Sequence, residues 1–486
     1  MDLNRKLAIG ILWTGVQNWG RQLSSFIIFS CLARLLTPES FGVIALSNTF
    51  LALIQLIIQQ GFSTAIIQRK SLKEEHLYTA FWSNILISSL LVFATVLAAP
   101  LVADIYREPA LTSVLRWLSI SLLISAVGSV QEALLKRELM FKPLAIRSLV
   151  AVCCAGVVGI SMAYLGYGVW SLVGYQLINS LVQSFTLWYL SKWRPQNKFS
   201  RACFKELFAF EINIIGIRII DYFNNYADKF FIGYFLGTVA LGYYEIAYKI
   251  LLTLTQLFVN VINQVAMSLF SKLQGDMPQL RKSFYNSIQL TTLIAFPAFF
   301  GISLLAPELI LLFFGDQWVP SISVMRVLAY AGILYSVSFL NGTILVALGK
   351  PIWRLKILLA TAVVKFVGFY LTVDLGVIAI AVTFVIVNAF SLPITFICVK
   401  RLVNVSTKIF VSQILPAFYS SLMMGAVILF LKMIDIQSTL NLVLYTFILS
   451  VTCFVVYFAM LRLVSPSTFV KVRRMPYYLA RGKQKA

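Results

Sequence analysis

Between residues 207 and 228 five polar side chains recur at helical spacing: Glu211, Arg218, Asp221, Asn225 and Asp228. At about 100° per residue they fall within an arc of roughly 100°, and at about 1.5 Å per residue the stripe runs about 25 Å. Three other segments carry similar stripes. Thr14, Asn18, Arg21 and Ser25 line up in residues 8–32, Asn48, Gln55 and Gln59 in 42–66, and Glu245, Lys249, Thr253, Gln256, Asn260 and Asn263 in 240–267. A guanidinium meets phosphate oxygens with a two-pronged fork. Amides give adaptable hydrogen bonds to hydroxyls, and carboxylates take cations or protons. The chemistry offered is recognition of a polar, anionic group.

These stripes sit in a chain that is otherwise apolar. Of 486 residues 60% are hydrophobic and 12% charged, about half the charged fraction of a soluble domain, which leaves no room for a sizeable globular part. Long apolar runs without two-residue alternation exclude a transmembrane β-barrel. The runs predict an all-α polytopic membrane protein of fourteen helices, at about 8–32, 42–66, 78–99, 113–135, 144–164, 167–190, 207–228, 240–267, 284–313, 321–348, 356–374, 376–399, 411–433 and 440–463.

Charge supports that count independently. Of the 40 Lys and Arg residues, 30 fall in alternate segments: Arg5 and Lys6, the connections around Arg69, Lys136, Lys192, Lys272, Lys350 and Lys400, and the tail from Arg462. The intervening loops hold Arg34, Arg107, Lys229 and Lys432. The positive-inside rule then puts both termini in the cytoplasm. The net charge of +22 is largely this topology signal plus attraction to anionic lipid, so no nucleic-acid partner is expected. Arg21 interrupts the first apolar stretch and no small-residue cleavage site comes after it, which predicts a first span in place of a removed signal peptide.

Enzyme chemistry is poorly supplied. His76 is the only histidine, in the charged segment Gln68 to His76, where a solvated loop residue is expected. The six cysteines contain no C-x-x-C and read as packing residues. No phosphate-binding loop motif occurs, since the string from Gly342 to Lys350 has the wrong spacing. Neither a metal nor a cofactor is expected.

An offset of 200 aligns Leu36 with Leu236, Phe41 with Leu241 and Gly42 with Gly242, each in a loop that enters a helix. Helices 1–6 and 7–12 then form two copies of one unit in the same orientation, related by a pseudo-twofold axis along the membrane normal. The expected organisation is an N-lobe over 1–200, a C-lobe over 201–408, helices 13 and 14 as an appendix over 409–464, and a basic cytoplasmic tail over 465–486. Four stripes then lie on helices 1, 2, 7 and 8, the corresponding pairs. An Arg, Lys or Asp near the bilayer centre costs roughly 2.5 to 3.5 kcal/mol on insertion scales, so such a face must be hydrated or paired. Arg218 with Asp221 and Glu245 with Lys249 are spaced for pairing along their own helices. Arg21 is not, because helices 1 and 2 contain no carboxylate. A cationic, water-filled cavity is expected, to which Lys365 contributes unless it snorkels to an interface.

Several strings resemble the Wzx-like polysaccharide flippases, of the lipopolysaccharide and teichuronic acid exporter type, within the multidrug/oligosaccharidyl-lipid/polysaccharide exporter superfamily. They are Leu32-Ala33-Arg34-Leu35-Leu36-Thr37-Pro38-Glu39-Ser40-Phe41-Gly42, Lys136-Arg137-Glu138-Leu139-Met140-Phe141, Gly166-Tyr167-Gly168-Val169-Trp170-Ser171-Leu172, Asn225-Tyr226-Ala227-Asp228-Lys229 with Leu241-Gly242-Tyr243-Tyr244, Phe314-Gly315-Asp316-Gln317-Trp318, and Leu348-Gly349-Lys350-Pro351. The resemblance implies two six-helix lobes plus two helices, alternating between inward-open and outward-open states in a bacterial inner membrane. The implied cargo is an undecaprenyl-diphosphate-linked oligosaccharide, with membrane lipids and other polysaccharide assembly proteins as partners. In the related lipid II flippases cavity arginines hold the diphosphate, a role that position and charge transfer to Arg21 and Arg218.

Roles divide by chemistry. Arg21, Arg218 and Lys249 are expected to hold the anionic head, and Asn18, Gln55, Gln59, Asn225, Gln256, Asn260 and Asn263 to bond sugar hydroxyls. Asp221, Asp228 and Glu211 are candidates for proton or sodium coupling, with structural pairing of Asp221 and Asp228 to Arg218 and Lys229 the alternative. A multidrug or small-solute antiporter on the same fold would want a cation-binding carboxylate in helices 1 and 2. A membrane-embedded glycan polymerase or ligase would need a substantial outer loop, and a purely structural scaffold would lack a continuous aqueous stripe.

Overall fold

A computed structural model describes residues 3–59, 66–67, 69, 72–434 and 441–470, apart from the side chains of 3–12, 14, 16, 57, 59, 207–215, 217 and 264. The basic tail beyond Val470 lies outside the described residues. The long helices are α1 (Leu3–Leu35), α2 (Pro38–Gln59), α3 (Glu74–Tyr106), α4 (Ala110–Arg137), α5 (Phe141–Tyr164), α6 (Val169–Leu190) and α7 (Arg201–Phe231). They continue with α8, made of Gly237–Leu254 and Asn260–Lys272, then α9 (Met277–Leu304), α10 (Ser321–Ala347), α11 (Pro351–Thr372), α12 (Val377–Val403), α13 (Thr407–Met433) and α14 (Leu442–Val464). These match the fourteen predicted segments one for one. Eleven stretches of the described residues are long and apolar enough to cross a membrane, one of them the continuous Arg218–Lys272. That stretch contains α8 and the end of α7 from Arg218 onward, and α1 and α6 fall short because they carry Asn18, Arg21 and Gln22, and Gln176, Asn179 and Gln183.

Two π-helical turns shape the α7–α8 region. Ile232–Leu236 joins the two helices and Thr255–Val259 sits inside α8. A π turn adds a residue to the hydrogen-bonded ring and rotates the helix beyond it, a device common at functional sites. Gly237, with φ +84, supplies the left-handed corner at the start of α8.

Packing divides the chain into two compact units, Met1–Glu245 and Ile246–Ala486. The division falls inside α8 because α7 packs along α2 and α3, whereas the boundary at 200 is a property of the repeat. In the first unit Phe50 of α2 stands edge-on to Tyr106 of α3 and Phe230 of α7, at centroid distances of 5.7 and 5.4 Å. In the second unit α9 is the hub, touching α10, α13 and α14. Phe284 of α9 stacks on Phe410 of α13, and Tyr457 of α14 donates to the Leu293 carbonyl at 2.8 Å. Helices α13 and α14 are thus part of this unit's apolar core, and not an appendix.

Three charged groups sit otherwise than their sequence setting suggests, His76 and Lys432 outside loops and Lys365 away from an interface. His76 is 3% exposed, in the first turn of α3. Its Nδ1 accepts the Lys73 N–H at 3.3 Å, and its Nε2 stands 3.7 Å from Glu206, which Arg69 also binds at 2.5 Å. The local charge run hides this, because the carboxylate facing the ring comes from α7, 130 residues away. Lys365 is buried with its ammonium 4.6 Å from the Phe384 ring centroid, so it does not snorkel. Lys432 lies in the last turn of α13 and reaches back to Glu308 at 2.7 Å and to the Leu304 carbonyl at 2.7 Å.

Glu308 is 4% exposed, and removing one partner of a buried pair costs about 3 to 5 kcal/mol because the other charge is stranded. Lys432→Met should lower the thermal unfolding midpoint of detergent-purified protein by several degrees. Adding Glu308→Met should restore most of the loss, which fluorescence-monitored melting would show.

Candidate functional site

The stripe on α7 faces α2 and forms one wall of a cavity of about 320 Å³, lined by Ala52, Gln55 and Leu56 of α2 and by Arg218, Asp221, Tyr222, Asn225 and Tyr226 of α7. The α7 residues recur at three- and four-residue intervals, which is what puts them on one face. Tyr222 and Tyr226 stack at 4.8 Å with ring planes 29° apart. Tyr222 is fixed by donating its hydroxyl to the Thr49 carbonyl at 2.7 Å. Asn225 donates to the Asp221 carbonyl at 2.8 Å. Among the described residues neither Arg218 nor Arg21 has a carboxylate within ion-pair distance. The cavity therefore combines a guanidinium, a carboxylate, two amides and an aromatic platform.

Arg21 is exposed on α1, one turn before Ser25, which hydrogen-bonds Tyr175 of α6, and Arg21 acts electrostatically on that phenol. Asn18 is half-buried a turn earlier. Lys249, Gln256, Asn260 and Asn263 belong to the second unit, where all are half-buried, Gln256 lies in the π turn and Asn263 bonds Thr343. The side chains of Gln59 and Glu211 lie outside the described residues.

Glu245 takes a partner that periodicity did not suggest, and Asp228 bonds Tyr244 as well as the backbone of its alternative partner Lys229. Asp228 is 1% exposed and accepts the Tyr244 hydroxyl at 2.5 Å and the Lys229 backbone N–H at 3.0 Å. Lys229 lies within α7, not in a loop, and pairs with Glu245 at 2.6 Å. Two tyrosines of the cavity, Tyr222 and Tyr226, were missed because a hydropathy reading counts them as lipid-facing or core. The signal for them was their place in the stripe, one residue beyond Asp221 and Asn225.

Next to this network the starts of α2 and α8 meet backbone to backbone. A Cβ on Gly42 would stand 1.8 Å from the Thr238 carbonyl oxygen, and one on Gly242 would stand 2.0 Å from that of Pro38. Shifted by 200, each contact becomes the other, which is the reciprocity of a twofold-related interface. Only glycine permits such an approach. Thr238 is also held by donating to Glu108 at 3.0 Å. Gly42→Ala and Gly242→Ala should each force these helices apart and lower the unfolding midpoint by several degrees. Gly15→Ala, with nothing within 4 Å of the added methyl, should lower it by less than a degree in the same assay.

Residues 31–323 match the profile of the family described as polysaccharide biosynthesis protein. The teichuronic acid biosynthesis protein TuaB of Bacillus subtilis is 26% identical over 358 residues, covering 72% of this chain and 73% of its own. The lipopolysaccharide biosynthesis protein WzxC of Escherichia coli is 25% identical over 431 residues, 87% of each chain. Among solved structures the inward closed conformation of the lipid II flippase MurJ superposes with a TM-score of 0.77 at 15% identity, over 93% of this chain and 98% of that one. At that identity the likeness concerns the fold. The match to the profile spans more than half of the chain and includes the α2–α8 seam and the cavity, and the chain belongs to the polysaccharide biosynthesis protein family of Wzx-type flippases.

Proposed function

We propose that the protein is a flippase for an undecaprenyl-diphosphate-linked oligosaccharide in the bacterial inner membrane, working by alternating access. The observation that carries the reading is Arg218, which lines a polar cavity inside a spanning segment with no acidic partner among the described residues. A guanidinium within a membrane is costly without a counter-charge, and a diphosphate oxygen pair completes it. The stacked tyrosines and the amides of Gln55 and Asn225 suit sugar rings, which present an apolar face and a hydroxyl edge. The lipid tail stays in the bilayer while polar side chains replace the hydration of the head.

Arg21 and Asn18 on α1 are assigned to the same head group, and within the second unit Lys249 is assigned as a third cation and Gln256, Asn260 and Asn263 as amides for sugar hydroxyls. Asp221 is the carboxylate that lines the cavity and is the residue we assign to proton or sodium coupling. The hydrogen bonds of Asp228 support a structural role for it. With basic connections in the cytoplasm, both termini face the cytoplasm and the α2–α8 seam faces the periplasm. No catalytic step is assigned, and other polysaccharide assembly proteins would supply and consume the cargo.

A multidrug antiporter on this fold is disfavoured by the helices that would host its cation site. No Asp or Glu occurs in residues 8–32 or 42–66. In proteoliposomes, Arg218→Ala and Arg21→Ala should each slow translocation of lipid-linked oligosaccharide about 10-fold or more, the loss expected when a charge-assisted hydrogen bond worth about 1.5 to 3 kcal/mol disappears. Arg218→Lys should retain part of the rate. Wild-type rates in both alanine variants would overturn the assignment.

A further inference from the structure

A buried ion pair stands where the cavity meets the α2–α8 seam. Tyr226 lines the cavity, and its ring centroid is 5.6 Å from the Lys229 ammonium. Lys229 is 7% exposed and bound to Glu245, one helical turn beyond the seam glycine Gly242. Asp228 and Tyr244 make a second bond across the same two helices. Eleven residues separate Arg218 from Lys229, a rise of about 16 Å that returns to within roughly 20° of the same face. An anion moving along α7 from Arg218 therefore meets Lys229 next.

We propose that Lys229 is a second anion-binding residue, masked by Glu245 in the empty protein, and that a diphosphate taking Glu245's place frees α8 from α7 and opens the seam. Glu245 then acts as the placeholder that keeps the outer end shut until the charged head arrives. The pair has the right chemistry for this exchange, because a desolvated ammonium accepts a new partner only if that partner brings full negative charge. A diphosphate brings more than the carboxylate it displaces. Neutral sugars and cationic drugs bring none. This inference rests on the flippase reading for the identity of the anion, and on the geometry alone for the latch.

The test places spin labels in a cysteine-free protein at Glu39→Cys and Val239→Cys, exposed positions beside the seam on α2 and α8, and measures their separation by pulsed electron paramagnetic resonance in nanodiscs. The empty protein should show one short distance, and undecaprenyl diphosphate should add a longer population. Glu245→Gln and Lys229→Gln should each raise the longer population several-fold without lipid. Lys229→Gln should not respond further to undecaprenyl diphosphate. The exchanged pair Lys229→Glu with Glu245→Lys should return to the short distance and lose the lipid response, which guards against reading misfolding as opening. Wild-type distances in both single variants, or an exchanged pair as open as they are, would overturn the latch. Failure of the flippase reading is separable, since it appears as unchanged translocation in Arg218→Ala while Glu245→Gln still opens the seam.

Discussion

A guanidinium inside a bilayer has to be wet or paired, and that constraint explains how this protein is arranged. Arg218 lies within α7 and is spared burial in lipid by a cavity whose opposite wall is α2. The cavity exists because α7 turns its polar face to α2, and the same two helices are held together by the edge-on contact of Phe50 with Phe230. Cations that the cavity does not expose are treated differently. Lys229 and Arg147 are buried and Lys432 is half-buried, each paired with a carboxylate, Glu245, Glu132 and Glu308 respectively. A cavity guanidinium with no ion pair among the described residues thus marks the route of an anion, and the paired cations hold the helices that frame it.

The same logic joins site to fold at the α2–α8 seam. Glycines at equivalent places in the two repeats let two helix starts touch through their backbones, a contact with no side chain to lock it. Such an interface is held by dispersion and weak Cα–H···O contacts, so it closes tightly and parts at modest cost. Ion pairs nearby then decide whether it stays closed. The Lys229–Glu245 pair is placed to do so, a turn from the seam and a tyrosine ring from the cavity.

Much of this was legible in the residues because the membrane simplifies the problem. Apolar runs of the right length and alternating basic connections gave all fourteen helices, and a 100° period gave the α7 face with Arg218, Asp221 and Asn225. What periodicity cannot show is which distant element meets a given face. Glu245 was matched to Lys249 because i,i+4 is the only pairing visible along a helix, but the π turn at Ile232–Leu236 brings Lys229 to it instead. His76 looked solvated because its neighbours in sequence are charged, yet it is buried and faces Glu206 of α7. Gly42 and Gly242 were found as marks of a repeat, and their reciprocal contact needed three dimensions. Helices α13 and α14 looked detachable because they fall outside the repeat, although Tyr457 and Lys432 bind them to α9 and its neighbour.

The central claim is that Arg218 makes the cavity an aqueous receptor for anions. Its most direct test is the charge preference of a thiol at Gln55→Cys in cysteine-free protein, on the wall opposite Arg218. A water-soluble sulfonate thiol reagent should react several-fold faster than its trimethylammonium counterpart, each scaled to a free thiol, and Arg218→Gln should abolish that preference. A thiol that neither reagent reaches, or a preference unchanged without Arg218, would contradict the account.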